Sequence, residues 1–237
     1  MISTGAELTT FITGLNADAS IDPTLLDVLV DNAKAVLEEE RPWMVLRKTD
    51  TSKSVATSDT WQTAIDLSTI SDFSRLYVPD DGFPVRLFDG NNRIEYYSLK
   101  PFDQRLEWKN VSRTCVYDEN TKTLYLNGTP PYAGTLYINY LATSPAINLA
   151  STSAVWTSFP SRFLPILGYY AVGIYKGGVD FDSINYLMNT EIGATMNALK
   201  NAMEKWDNEK QLAAIQSNDP DEFPGGYPRA GAVDRSA

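Results

Sequence analysis

The chain has 237 residues, 43% hydrophobic and 21% charged, with 30 acids against 20 bases, one cysteine and no histidine. Without histidine there is no Ser-His-Asp or Cys-His nucleophile system, no histidine metal ligand and no imidazole pH switch; a single cysteine supports neither an internal disulfide nor a CxxC zinc site. The formal net charge of −10 has the wrong sign for a sequence-independent grip on nucleic acid or on an anionic membrane.

Half of the acidic excess lies before residue 51, where nine acids face four bases. The opening Met1-Ile2-Ser3-Thr4-Gly5 has no basic and apolar leader pattern. No later run approaches the ~20 apolar residues of a membrane span. Both features predict a soluble protein of a reducing cytoplasm. A short amphipathic stretch at Leu8, Phe11, Ile12 and Leu15 predicts a first helix. A second is expected from Asp22, a good N-cap, followed by Pro23 at the first helical position. Leu25, Leu29, Ala33 and Val36 then recur at helical spacing. Glu38, Glu39 and Glu40 sit badly for the macrodipole at that helix's end, and Pro42 breaks it before the apolar Trp43-Met44-Val45-Leu46.

From about residue 51 to 145 the period changes, and this zone holds 14 of the 27 aromatic residues. Aromatic and β-branched residues suit pleated, half-buried surfaces. Phe83 to Phe88 and Arg93 to Leu99, joined by Asp89-Gly90-Asn91-Asn92, predict one hairpin. Arg113 to Tyr117 and Lys122 to Leu126 predict another. Thr135 to Leu141 is a further strand, with Leu136, Ile138 and Tyr140 on one face and Tyr137 and Asn139 on the other. Short strands joined by tight connections predict an antiparallel sheet or a small sandwich.

Helical spacing returns at Phe163, Ile166, Leu167, Tyr170 and Ile174, with Gly177-Gly178 as the stop. A long helix opened by Asp180 or Asp182 is then expected, with Ile184, Met188, Ile192, Met196, Leu199, Met203 and Trp206 on one stripe. That stripe is either core or a subunit interface. The remainder, Ser217 to Ala237, is rich in Asp, Pro, Gly and Ser and should lack a fixed fold in isolation. The expected organisation is α+β. It comprises an N-terminal helical segment (1–50), an antiparallel β domain (51–150), C-terminal helices packing with the first segment (151–216), and a flexible tail (217–237).

No phosphate-binding loop, dinucleotide fingerprint, zinc-protease motif, nucleophile elbow or EF-hand loop is present. No catalytic, cofactor-binding or metal-ligating residue is therefore predicted. The one constellation left is a pair drawn from the carboxylates Asp80, Asp81, Asp89 and Glu95, with Trp61, Trp108 and the tyrosines as sugar platforms. The simpler reading is that these acids shape turns and the aromatics fill a sheet. Cys115, between Thr114 and Val116, fits a buried inert thiol.

Several pieces together resemble the head–tail adaptor, or connector, proteins of tailed bacteriophages. They are the acidic helix running into Glu40-Arg41-Pro42-Trp43-Met44-Val45-Leu46-Arg47, and the strand Leu136-Tyr137-Ile138-Asn139-Tyr140-Leu141-Ala142 before Ser144-Pro145. They also include Phe159-Pro160-Ser161-Arg162-Phe163-Leu164-Pro165-Ile166-Leu167 with Tyr169-Tyr170-Ala171, and the Lys200 to Ile215 helix with Trp206. The resemblance implies a non-enzymatic virion protein of the neck, assembled in the host cytoplasm as a ring, commonly of twelve copies, beneath the portal. Its partners would be the portal protein, neighbouring copies and downstream neck or tail proteins, and DNA would pass its channel without specific binding. It needs no cofactor. The tail would thread onto the portal, with Phe223, Tyr227 and Arg229 as anchors. The β zone departs from the smallest adaptors, which are nearly all helical. Two alternatives stay open: another tail-completion or stopper protein, and a carbohydrate-binding or carbohydrate-processing module.

Overall fold

In the computed structural model, residues 2–15, 21–57, 63–91, 93–177 and 191–217 are described. They form two compact units, one from residues 1–45 and 143–213, the other built on 46–142.

The helical unit begins with α1 (Gly5–Leu15). Its start is a capping box. Thr4 Oγ1 accepts from the Glu7 amide at 3.2 Å, while the Glu7 carboxylate accepts from the Ser3 and Thr4 amides at 2.8 and 3.1 Å. Those amides hold the Glu7 carboxyl below its ordinary value. Helix α2 (Pro23–Glu39) starts as its sequence predicts, with the Asp22 carboxylate accepting from the Thr24 amide at 2.8 Å. Helix α3 (Pro165–Gly177) follows a 3-10 turn at Ser161–Phe163. It packs against both α1 and α2, and Ile166, Leu167, Tyr170, Ala171 and Val172 are all buried. Helix α4 (Glu191–Ser217) ends the described chain; the expected start at Asp180 or Asp182 lies outside the described residues.

Gly5 touches the chain after the sheet so closely that a Cβ there would lie 2.0 Å from the Asn148 carbonyl oxygen and 2.7 Å from Leu149 Cα. Backbone cannot swing aside as a side chain can. Gly5→Ala is therefore expected to cost about 1–3 kcal/mol, the usual range for overpacking. Urea titration checks it, and an unchanged midpoint would show that the contact is soft.

The second unit is a sheet of eight strands in the order β1-β8-β4-β5-β6-β7-β2, with β3 also on β8. The strands are β1 (Arg47–Val55), β2 (Thr63–Asp66), β3 (Phe73–Leu76), β4 (Val85–Phe88), β5 (Ile94–Lys100), β6 (Thr114–Asp118), β7 (Thr123–Leu126) and β8 (Gly134–Ala142). The two expected hairpins are present as β4–β5 and β6–β7. Among the described residues the pairing is antiparallel, as expected, at every pair but one. β5 and β6 run parallel, pairing Ser98 with Thr114 and Lys100 with Val116. A parallel pair needs a long crossover, which the segment 101–113 with its 3-10 turn at Phe102–Gln104 supplies. β1 also starts earlier than the change of composition suggests, at Arg47.

The core of this unit includes Leu67, Val85, Leu87, Leu124, Leu136 and Ile138, all fully buried. Each such side chain contributes about 1.5–3 kcal/mol of transfer free energy. Cys115 is in the same cluster, and burial pushes its thiol up to about 12. An unfolded thiol ionises near 8.5, so this group's contribution is intact below about pH 8.5 and is lost as the pH rises from there toward the folded value. At pH 8 a thiol reagent is expected to label the chain only on unfolding. Labelling of the native protein at the rate of a free thiol would contradict this placement.

Candidate functional site

Those pieces of the family resemblance that lie in the helical unit meet around helix α2. Lys34 and Glu38, one turn apart on α2, are both buried. They clamp the Ser144-Pro145 segment. The Lys34 ammonium donates to the Ser144 carbonyl at 2.6 Å and to the Pro145 carbonyl at 3.2 Å. The Glu38 carboxylate accepts from the Ser144 amide at 3.2 Å and from Trp156 Nε1 at 2.9 Å. Asp31, a further turn back, accepts from the Ile147 amide at 3.2 Å. Of the acids that looked misplaced at the end of α2, Glu38 is thus matched by tertiary donors. Glu40 likewise pairs with Lys200 of α4.

Beside this lies a second buried charge. Asp207 of α4 is fully buried; its carboxylate meets Arg41 Nη2 at 3.0 Å, the Met44 amide at 2.7 Å and Gln211 Nε2 at 3.0 Å. Arg41 also donates to Asn208 at 3.0 Å and lies 4.9 Å over the Trp43 ring. Trp43 is fully buried and donates from Nε1 to the Leu37 carbonyl at 2.6 Å. Its ring meets Phe159 edge-on at 5.7 Å, and Phe159 in turn lies 4.3 Å from Trp156 and 6.2 Å from Trp206. Phe163 is 5.8 Å from Trp206. Charge-assisted bonds and aromatic contacts of this kind fix α2, the 144–163 segment and α4 in one arrangement. The cluster offers positioning rather than proton transfer, because each charge already has a partner.

Of the expected α4 stripe, Met196 and Met203 are buried within the chain and Leu199 and Trp206 are half-buried. Met188 lies outside the described residues, as does the side chain of Ile192. Phe223, Tyr227, Arg229 and Trp61 also lie outside them.

In the sheet unit a concavity of about 510 Å³ is lined by Asp81, Phe83, Glu95, Tyr96 and Arg113 among others. Two of the four candidate carboxylates therefore share one wall. Asp81 is held by Arg86 at 2.7 Å, however, and Glu95 pairs with Arg113. Asp89 is spent on its turn, accepting from the Asn91 and Arg93 amides at 2.6 and 3.1 Å. Trp108 does not line the concavity. Both acids there are thus ion-paired, and the aromatic side chains on that wall are Phe83 and Tyr96, whose rings meet at 5.4 Å. No group of three or more His, Cys, Asp or Glu among them is placed to hold a metal ion, and no described helix is long and apolar enough to cross a membrane.

The whole-chain pattern, rather than a reactive centre, is what relates this protein to others. No curated protein is similar enough to match the chain. The family model described as "SU10 adaptor protein", a phage head–tail adaptor family, matches residues 4–219, through both units and the buried clamp, and the chain belongs to that family.

Proposed function

We propose that this adaptor assembles as a ring, commonly of twelve copies, beneath the portal, closes the filled head, and presents the platform on which the neck or tail is built. The observation that carries this reading is the family match across residues 4–219, which makes the chain a phage head–tail adaptor and supports a structural, non-enzymatic role. Two further features support it. The buried clamp at Lys34, Glu38, Arg41 and Asp207 suits a subunit that must keep its shape under load. The net charge of −10 suits a wall along which DNA slides without sticking. In this reading the chain assembles in the host cytoplasm, portal and downstream neck or tail proteins are its partners, and the tail from Ser217 docks the portal through Phe223, Tyr227 and Arg229. Truncation after Ser217 is expected to abolish co-sedimentation with purified portal while leaving the melting temperature unchanged. Undiminished co-sedimentation would remove the anchoring role of the tail.

A further inference from the structure

Helix α2 is apolar on two sides. One side holds Leu26, Leu29, Val30, Ala33 and Leu37, all buried. The other leaves Leu25, Val28 and Val36 exposed at 42, 52 and 41%. Single exposed apolar residues need no explanation, but three large ones aligned on one helix do. With Val28 and Val36, the exposed Asn32 and Glu39 make a stripe Val28, Asn32, Val36, Glu39, in steps of four, four and three residues.

Helix α4 carries a matching face. Opposite the buried Met196 and Met203, the exposed residues Ala194, Ala198, Ala202 and Lys205 follow the same steps of four, four and three. Laid parallel, the two faces complement each other at each level. Val28 meets Ala194, Asn32 meets Ala198 beside the exposed Asn201, Val36 meets Ala202, and Glu39 meets Lys205. Large side chains fall against small ones, which permits close approach of the helices, and the one acid falls against the one base.

We propose that the outer face of α2 in one copy docks in parallel on the outer face of α4 in a second copy, along Val28–Ala194, Asn32–Ala198, Val36–Ala202 and Glu39–Lys205. The contact rests on the ring reading above and gives it an interface. It joins two different faces of the chain, so it is heterologous and generates a closed ring or an open chain of copies rather than an isolated symmetric pair. It also leaves Met196 and Met203 to the interior of each subunit.

Two experiments on the full chain test it. Asn32→Cys/Ala198→Cys, both at exposed positions, is expected under mild oxidation to give a ladder of covalent dimers, trimers and higher species on a non-reducing gel, while either single variant gives none. The buried Cys115 stays out of the reaction. Separately, Glu39→Lys and Lys205→Glu are each expected to raise the concentration for half-assembly about tenfold or more, because like charges then face each other; the double reversal restores it, read by light scattering. Rings that form normally without any ladder, and that ignore the charge reversals, would overturn this interface and leave the ring reading standing. A wild-type chain that stays at monomer mass with portal present, with no ladder from the cysteine pair, would overturn both.

Discussion

Trp43→Ala is expected to lower stability by about 3–5 kcal/mol, the usual cost of removing a buried indole. Trp43 is fully buried and closes the junction after Pro42, with Arg41 over its ring and Phe159 against its edge. Truncation also strips the Leu37 carbonyl of its 2.6 Å donor, leaving a buried acceptor unpaired. Urea denaturation followed by the far-ultraviolet helical signal measures the effect. Trp43→Phe fills much of the volume but cannot donate, so it should fall between wild type and alanine. A loss below about 1 kcal/mol for Trp43→Ala, less than typical for a core site, would mean that the aromatic cluster does not hold the helical unit together.

Asp207→Ala is the second large effect, expected at about 3–5 kcal/mol because breaking one side of a buried pair leaves its partners uncompensated. Asp207 has three donors, Arg41, the Met44 amide and Gln211, and no exposure. Asp207→Asn keeps an acceptor for the Met44 amide and should recover part of the loss. Arg41→Met/Asp207→Leu should be less damaging than Asp207→Ala, since no charge is then stranded. The Lys200–Glu40 pair, more exposed on both sides, provides the contrast: Lys200→Ala should cost no more than about 1 kcal/mol. Equal effects of Asp207→Ala and Lys200→Ala would contradict the clamp.

The elements were legible where local chemistry decides them. Asp22-Pro23 opens α2, and Asp89-Gly90 turns between β4 and β5. The signature Thr4-x-x-Glu7 was present for the capping box, although the first helix is also predictable from Leu8, Phe11 and Ile12 alone. The parallel pairing of β5 with β6 was not legible, because periodicity does not say which edge a strand joins after a long excursion. The buried clamp was equally hidden. Nothing in their local sequence marks Lys34, Glu38 and Asp207 as interior groups, and only partners over a hundred residues away in sequence make them so. Local rules fail where tertiary donors override them, as with Glu38 and Glu40 at the end of α2. The apolar outer face of α2 was in the sequence too, as Leu25 and Val36, but it read as part of one broad apolar side until the structure separated a buried set from an exposed one.

Native mass measurement of the full chain with purified portal tests the account most directly. One complex is expected, carrying several copies of the 26.3 kDa chain, in a single fixed number, on each portal. A chain that remains monomeric and leaves the portal mass unchanged at all concentrations would contradict it.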